Sequence, residues 1–198
     1  MSLSYSLRSL HARQDLIRSC VELLKSTWPN CLAERLYQLA PDEGSVGLPH
    51  SLVLIEHQGN VADVVIGHLR LAPITYPLFP KGVYFEAGCI TRPKQGFGLG
   101  KKMLHLAENY AVSTLGCKQA LLTCHSSLAS YFQSLSYTQH KEPSLKVVGQ
   151  SILRPLDDIC QWYGIEASTV DDKKECAYYD GSVFPHILMK KALRVEQL

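Results

Sequence analysis

Three alternating glycines, in the sequence Gln-Gly-Phe-Gly-Leu-Gly at 95–100, lead directly into a helix-forming run that begins with two lysines. Because glycine has no Cβ, such a backbone can adopt positive φ and close around a ligand. The apolar stretch 83–90 comes just before this loop. Successive N–H groups between a strand and a helix favour a phosphate or pyrophosphate, and Lys101 and Lys102 add positive charge at the rim. The spacing therefore predicts an anion-binding loop.

The glycine spacing distinguishes between kinds of phosphate loop. A Walker loop needs glycine at position 95 and Ser or Thr at position 102, but the residues are Gln95 and Lys102. The dinucleotide fingerprint needs G-x-G-x-x-G, whereas the glycines here run G-x-G-x-G. The pattern that fits is Gln/Arg-x-x-Gly-x-Gly, filled by Gln95, Gly98 and Gly100. A glycine turn that only caps the following helix is the alternative interpretation.

Two ionisable residues stand where they could assist proton transfer. Glu86 interrupts an apolar run, so we expect burial to raise the pKa of its carboxyl group toward the range of a general base. The alternative is a carboxylate hydrogen-bonded by backbone or paired with Arg70 or Arg92. His125 directly follows the apolar strand pattern at 121–124, and imidazole titrates near neutral pH. A base or water-orienting role and a structural or solvated histidine both fit that position.

Composition places the chain among ordinary globular proteins and excludes several classes of function. Its 198 residues are 46% hydrophobic and 19% charged, and we expect a single domain over 1–198. A net charge of +2 provides no general field for nucleic acid. The seven cysteines form no C-x-x-C pair, which favours buried, reduced thiols and no metal. Neither a signal-peptide core nor a membrane-spanning apolar run occurs, so we expect a cytoplasmic protein without a membrane partner.

Hydrophobic periodicity predicts the elements that must position these residues. Helical spacing of apolar residues occurs over 13–28, 31–39, 101–115 and 127–135. Strand patterns occur around Tyr5 and Leu7, at 51–57, 61–71, 82–91 and 120–124, from Tyr137, and at 183–193. The turn Gln58-Gly59-Asn60 predicts a hairpin between the second and third strands. The fourth strand is almost entirely apolar, which predicts burial of both of its faces.

The loop pattern and this order of elements resemble the GNAT acetyltransferase superfamily, most clearly over 80–140. Within it, the sequence is most similar to the animal N-alpha-acetyltransferases of the NatH type, which modify processed actin. The similarity rests on these segments: Trp28 with Glu34-Arg35-Leu36, Phe85-Glu86, the loop with Lys101-Lys102-Met103-Leu104, Leu122-Thr123-Cys124-His125, and 185–191.

The resemblance implies the GNAT fold, an α/β (α+β) arrangement with a mixed central sheet of about seven strands flanked by about four helices. Its middle strands, 83–90 and 120–124, would splay apart to admit the pantetheine arm of acetyl-CoA, the implied cosubstrate, without a metal. An amine would then attack the thioester carbonyl directly in a ternary complex. The implied cofactor-binding residues are Cys89, Ile90, Gln95, Gly96, Phe97, Gly98, Leu99, Gly100 and Lys101.

Amine basicity favours a protein N-terminus as the acceptor. An α-amino group with a pKa of about 7.7–8.0 is about 10–15% neutral at pH 7, whereas a lysine near 10.4 is about 0.04% neutral. An N-terminus therefore needs only a modest base, for which Glu86 and His125 are the candidates.

The acid toward the leaving thiolate is less clear from the sequence. Many members of the superfamily use a tyrosine at a position that is Phe132 here, and a phenyl ring has no proton to give. The adjacent Tyr131 could substitute if the helix turns or shifts. The alternatives are that the thiolate leaves unassisted or that another group supplies the proton.

Substrate selection is expected from the helical hairpin and from the irregular segment before the last strand. Trp28 and Arg35 would bind the substrate together with Glu86 and His125, and a cationic cleft would suit the acidic N-terminus of processed actin. Trp28 packing on its own helix, and Arg35 in solvent, are the alternatives.

The resemblance also bears on other partners and activities. Some members of the subfamily carry a proline-rich insertion suited to profilin, but residues 143–182 contain only Pro143 and Pro155, so polyproline docking is not expected. Two alternatives to N-terminal acetylation stay open. One is an acetyltransferase for lysine or small amines, and the other is a catalytically silent acetyl-CoA-binding module.

Overall fold

A single seven-stranded sheet lies at the centre of the protein in the computed structural model. The structure describes residues 3–29, 36, 39, 48–59, 62–74, 78–140 and 186–194. In chain order the strands and α-helices are β1 Ser4–Ser9, α1 Ile17–Thr27, β2 His50–His57, β3 Val64–Pro73, β4 Gly82–Ile90, α2 Leu99–Ser113, β5 Gln119–His125, α3 Ala129–Ser134, β6 Thr138–Gln139 and β7 His186–Ala192.

The sheet is mixed, as the family resemblance implies. Its strand order is β1-β2-β3-β4-β5-β7-β6. The β4–β5 pair is parallel, and the other neighbouring strands run antiparallel. The predicted hairpin between the second and third strands is confirmed as β2 and β3. The glycine loop joins β4 to α2, so it follows a strand of the parallel pair seen among the described strands.

Two apolar clusters hold helices against opposite faces of the sheet. In the first, α2 contributes buried Met103, Leu104, Ala107 and Ala111, the inward positions that its periodicity predicts. In the second, α1 packs against β2 and β3 through buried residues that include Cys20, Val21, Leu24, Val53, Ile55 and Val65. Burial of such side chains contributes roughly 1.5–3 kcal/mol each to folding. The sheet is therefore a rigid layer between α1 and α2.

The first helix begins later than its apolar pattern predicts. α1 starts at Ile17, and the preceding residues form two short 3-10 turns, Leu10–Ala12 and Gln14–Leu16. Arg13 lies between these turns with non-helical backbone angles, and its guanidinium binds Asp63 at 2.9 Å. A link to the β2–β3 hairpin thus replaces the first helical turn.

The second predicted helix, 31–39, lies outside the described residues except for two positions. Leu36 and Leu39 are both buried in the cluster under α1. The part of the chain that the structure describes therefore contains three α-helices, against about four in the prediction from sequence. None of these helices is long and apolar enough to cross a bilayer.

β4 is not buried on both faces along its length, so the prediction for the whole strand is wrong. Val83 and Phe85 are buried, whereas residues 86–89 are half-buried or exposed. The physical reason is that β5 leaves the side of β4 after Phe85, which removes neighbours from the second half of the strand.

The region after α2 also differs in detail from its pattern. Gly116, with φ +66°, ends α2 and donates its N–H to the Val112 carbonyl. The helix predicted over 127–135 consists of a 3-10 turn, Ser126–Leu128, followed by the short α3. Tyr137 precedes β6 rather than beginning it and is almost fully buried.

Candidate functional site

The sheet opens between β4 and β5. Their pairing runs from Gly82 opposite Gln119 to Phe85 opposite Leu122 and stops there. Beyond that point β4 continues to pair with β3, and β5 continues to pair with β7. The predicted splay of the middle strands is confirmed. It leaves an edge of β4 that an extended ligand can pair with.

A bulge shapes the open part of β4. Ala87 has φ +49°, a value that non-glycine residues rarely adopt, and the β3–β4 register shifts beside it. The His68 Nδ1 lies 3.0 Å from the Ala87 carbonyl oxygen and is buried on β3. Backbone in such rare conformations is concentrated at functional sites, where surrounding contacts hold it. The bulge is therefore a specific structural feature of the open edge of β4.

The glycine loop closes onto the end of this open strand. After the turn Arg92–Lys94, Gln95 donates its Nε2 hydrogen to the Ile90 carbonyl at 2.8 Å. Gly96 and Gly98 both have positive φ, +84° and +74°, and a Cβ built on either would meet nothing within 4 Å. The loop therefore presents bare backbone to open space, as a cradle for an anion requires.

The start of α2 has free donors at this cradle. Its first intrahelical hydrogen bond runs from the Lys102 N–H to the Gly98 carbonyl, at 3.1 Å. The N–H groups of Leu99, Gly100 and Lys101 therefore lack an acceptor within the helix. No side chain caps this terminus, and its first turn contains no acidic residue. A diphosphate would satisfy these donors at the positive end of a helix of 15 residues.

Tyr131, rather than Phe132, faces the loop. The Tyr131 hydroxyl oxygen lies 3.3 Å from a Cβ built on Gly100, while the residue as a whole is 39% exposed. Partial burial raises the pKa of the Tyr131 phenol, which keeps its proton in place. Phe132 instead packs against the main core, with its ring centroid 5.8 Å from that of Tyr137.

Glu86 is the first residue of β4 beyond the last β4–β5 pair, and it forms an ion pair with Arg70 on β3. The side chains of Arg70 and Glu86 are only 7% and 11% exposed. The sequence left two interpretations of Glu86, a general base or a paired carboxylate. In the structure the carboxylate is paired with Arg70. Sequence reasoning named Arg70 only as a possible partner, although an arginine inside the apolar strand pattern 61–71 was a signal of a buried charge.

His125 ends β5 and caps the following 3-10 turn. The Ser127 N–H donates to the His125 Nδ1 at 3.2 Å, and the Ser127 hydroxyl lies 2.8 Å from the same nitrogen. Because a backbone N–H can only donate, Nδ1 is the acceptor, and the neutral ring carries its proton on Nε2. The Nε2 of the neutral ring is thus a hydrogen-bond donor. This geometry favours an orienting role over that of a base.

A tyrosine–threonine contact lies at the edge of the opening, where β4 and β5 stop pairing. The Tyr84 hydroxyl on β4 donates to the Thr123 Oγ1 on β5 at 2.7 Å, one residue past the last backbone pair. Neither residue stood out in the sequence. A side-chain contact at the point where two strands stop pairing depends on the angle of splay, which no spacing encodes.

The remaining predicted residues fall into three groups. Trp28 is half-buried and packs against the cluster under α1. This packing corresponds to the structural alternative for Trp28 rather than to substrate binding. Cys89 is half-buried against that same cluster, Ile90 is buried in the main core, and Phe97 is 76% exposed. Arg35 and the segment 143–182 lie outside the described residues. Within the described ranges, no group of His, Cys, Asp and Glu could hold a metal ion.

Comparison with known proteins assigns the chain to a family. The model of the acetyltransferase (GNAT) family matches residues 17–133, which is more than half of the chain. The chain therefore belongs to the GNAT acetyltransferase family, whose members use acetyl-CoA. The cradle of free N–H groups at the start of α2 fits the diphosphate of that cosubstrate.

Individual relatives agree with this assignment. The chain is 31% identical over 121 residues to mouse (Mus musculus) N-alpha-acetyltransferase 80, an alignment that covers 60% of this chain and 37% of that protein. The chain thus spans well under half the length of this relative.

Two solved structures share the fold at low identity. One is a chimera of the Vibrio cholerae spermidine N-acetyltransferase SpeG with hSSAT, with a TM-score of 0.58, 14% identity, and coverage of 95% of this chain and 94% of that one. The other is an acyl-CoA N-acyltransferase from Pseudomonas aeruginosa, with a TM-score of 0.53, 16% identity, and coverage of 96% and 100%.

Proposed function

We propose that this chain is a protein N-terminal α-acetyltransferase that acetylates acidic Asp or Glu N-termini, with processed actin as the favoured substrate. The observation that carries the proposal is the similarity to mouse N-alpha-acetyltransferase 80, at 31% identity over 121 residues. Amine chemistry supports it, because freeing an α-amine of its proton at pH 7 costs about 1 kcal/mol, against about 4.6 kcal/mol for a lysine.

Cosubstrate binding is assigned to the glycine loop and to the open edge of β4. When bound, acetyl-CoA supplies a thioester whose carbonyl carbon accepts the amine. The free N–H groups of Leu99, Gly100 and Lys101 bind the diphosphate. Backbone groups near Cys89 and Ile90, on the edge that β5 has left, hold the pantetheine arm in an extended form.

Proton transfer is assigned to three side chains around the opening. Glu86, held by Arg70, accepts a proton from the amine directly or through a water. His125 donates from Nε2 and orients that water or the peptide carbonyl. Tyr131 keeps its proton at the phenolic oxygen and delivers it to the thiolate, since its hydroxyl lies beside the start of α2.

Acidic substrates need a cationic or donor-rich peptide site. Trp28 and Arg35 are the proposed substrate-binding residues, with Glu86 and His125 at the end of the cleft where the amine reacts. An acidic first residue raises the pKa of its own amine by charge, so assistance from Glu86 gains importance for such peptides. The proposed setting is the cytoplasm, where actin is available.

A peptide panel with radiolabelled acetyl-CoA tests the proposal. We expect turnover of peptides that begin with Asp or Glu, at least tenfold faster in kcat/KM than that of the same peptides beginning with Ser or Met. The matched control is each acidic peptide with its N-terminus formylated, which must not react. Turnover of spermidine or of internal lysines in its place supports the small-amine alternative. Binding without any turnover supports the silent module.

A further inference from the structure

A continuous chain of hydrogen bonds at the edge of the sheet joins a hydroxyl, an imidazole and a carboxylate. The Ser6 Oγ on β1 lies 2.7 Å from the His57 Nε2, and the His57 Nδ1 lies 2.7 Å from an Asp63 carboxylate oxygen. β3 separates β1 and β2, which carry Ser6 and His57, from the opening beside β4 in the order of the sheet. The site described above uses none of these three residues.

The direction of each hydrogen bond follows from the charge on Asp63. Hydrogen bonds from Arg13 and then from His57 lower the pKa of the Asp63 carboxyl group, which is therefore ionised near neutral pH. An ionised carboxylate only accepts, so the His57 Nδ1 donates to it. In the neutral ring the Nε2 then carries a lone pair, and the Ser6 hydroxyl donates to that nitrogen. This is the arrangement of an activated serine.

The group is held by side chains on several elements. Arg13 binds Asp63 at 2.9 Å with one nitrogen and Asp15 at 2.9 and 2.7 Å with the others. Ser6 itself is fixed by the pairing of β1 with β2. Nucleophile, base and orienting carboxylate within hydrogen-bond reach are the signature of nucleophilic catalysis.

The Ser6 side chain is also accessible from solvent. Ser6 is partly exposed, and the side chains of His57 and Asp63 are 33% and 28% exposed. Among the described strands β1 is an edge of the sheet, so alternate N–H groups along its outer side face away from β2. Such N–H groups can stabilise an oxyanion that forms next to the serine.

We propose that Ser6 is a nucleophile that accepts acyl groups from small activated esters, with His57 as its base and Asp63 as the positioning residue. The Ser6 oxygen forms a bond to the ester carbonyl carbon, and its proton passes to the His57 Nε2. The carbon–oxygen bond to the leaving alcohol then breaks, and that oxygen takes the proton from His57. Water attacks the acyl-serine by the same path and releases the carboxylic acid and free Ser6.

The test uses p-nitrophenyl acetate on the full chain, with release of p-nitrophenol followed by absorbance and the acetyl adduct located by peptide mass spectrometry. We expect an adduct on Ser6 that is absent in Ser6→Ala. His57→Gln should acylate Ser6 about a hundredfold more slowly, since a general base contributes at least that factor. The matched control is Ser4→Ala, two residues away on the same strand face, which should acylate Ser6 at the wild-type rate.

Two outcomes overturn the proposal. One is a wild-type protein without an adduct on Ser6, and the other is a His57→Gln variant that acylates Ser6 less than tenfold more slowly. Circular dichroism melts identify any variant that has lost its fold, and the wild-type result stands without them. The assay contains neither acetyl-CoA nor peptide, so its failure leaves the proposed N-terminal acetyltransferase activity untouched.

Discussion

Lys94, at the entrance to the glycine loop, forms an ion pair with Glu56 on β2, whose side chain is only 1% exposed. Glu56 also accepts a hydrogen bond from the Gln58 side chain at 2.7 Å. The hydrogen bond from Lys94, followed by that from Gln58, lowers the pKa of the Glu56 carboxyl group. The hydrogen bond to Glu56 in turn raises the pKa of Lys94. A buried carboxylate two strands away thus fixes where the loop begins.

Glu56→Gln should loosen the loop without touching the diphosphate donors. Loss of the charge removes the partner of Lys94, so we expect the Kd for acetyl-CoA, measured by calorimetry, to rise about tenfold, or about 1.4 kcal/mol. Because the folded-state pKa of Glu56 is lowered, its contribution to stability is present above the ordinary value of 4.5 and lost as pH falls below it. The Tm of the variant should therefore fall less than that of the wild type on acidification. Equal acid sensitivity of the two proteins would contradict this role.

Gly98→Asp should abolish most of the anion binding. At φ +74° any side chain is strained, and a carboxylate placed in the cradle repels the diphosphate. We expect acetyl-CoA affinity to fall at least tenfold, about 1.4 kcal/mol or more. The matched control is Gly59→Asp in the β2–β3 turn, where φ is +67° and a Cβ also meets nothing within 4 Å. It should cost comparable stability and leave the affinity unchanged. Equal acetyl-CoA affinities for the two variants would show that the loop does not bind the diphosphate.

Tyr131→Phe should lower kcat while leaving cosubstrate binding intact. Removal of the phenol that faces the start of α2 takes away the proton donor to the thiolate, a contribution of about a hundredfold. The measurement is kcat and KM on an acidic peptide, with the acetyl-CoA Kd determined in parallel. Tyr110→Phe is the matched control, because that hydroxyl bonds His50 away from the loop. A wild-type kcat for Tyr131→Phe would mean that the thiolate leaves without its help.

The loop and the order of elements along the chain could be predicted because their sequence patterns are local. Glycine spacing, an apolar strand before it and helical periodicity after it all lie within about 35 residues, and each pattern reports its own element. The α2 boundaries and the hairpin therefore agree closely with the structure.

Contacts between distant segments could not be predicted in the same way. The Arg70–Glu86 pair depends on which residues stand opposite each other on β3 and β4, and a bulge shifts that register beside them. Which of Tyr131 and Phe132 faces the loop depends on the rotation of α3 about its axis, and a short 3-10 turn precedes that helix. Periodicity specifies a helix but not its rotation about the axis, so the sequence alone left the acid undecided.

His125→Asn should separate the two functions of this ring. The asparagine side-chain oxygen can accept the Ser127 N–H as the His125 Nδ1 does, so the 3-10 turn keeps its cap and the Tm should change little. The donor at Nε2 is lost, however, because the asparagine side chain is shorter than that of histidine and has no group at that position. We expect kcat/KM on acidic peptides to fall at least tenfold, about 1.4 kcal/mol, measured with radiolabelled acetyl-CoA. His125→Ala, which also loses the cap, should add a fall in Tm to the same loss of activity. If His125→Asn is fully active while His125→Ala is unstable, the ring serves only to hold the turn, and the donor beside the amine must come from another residue.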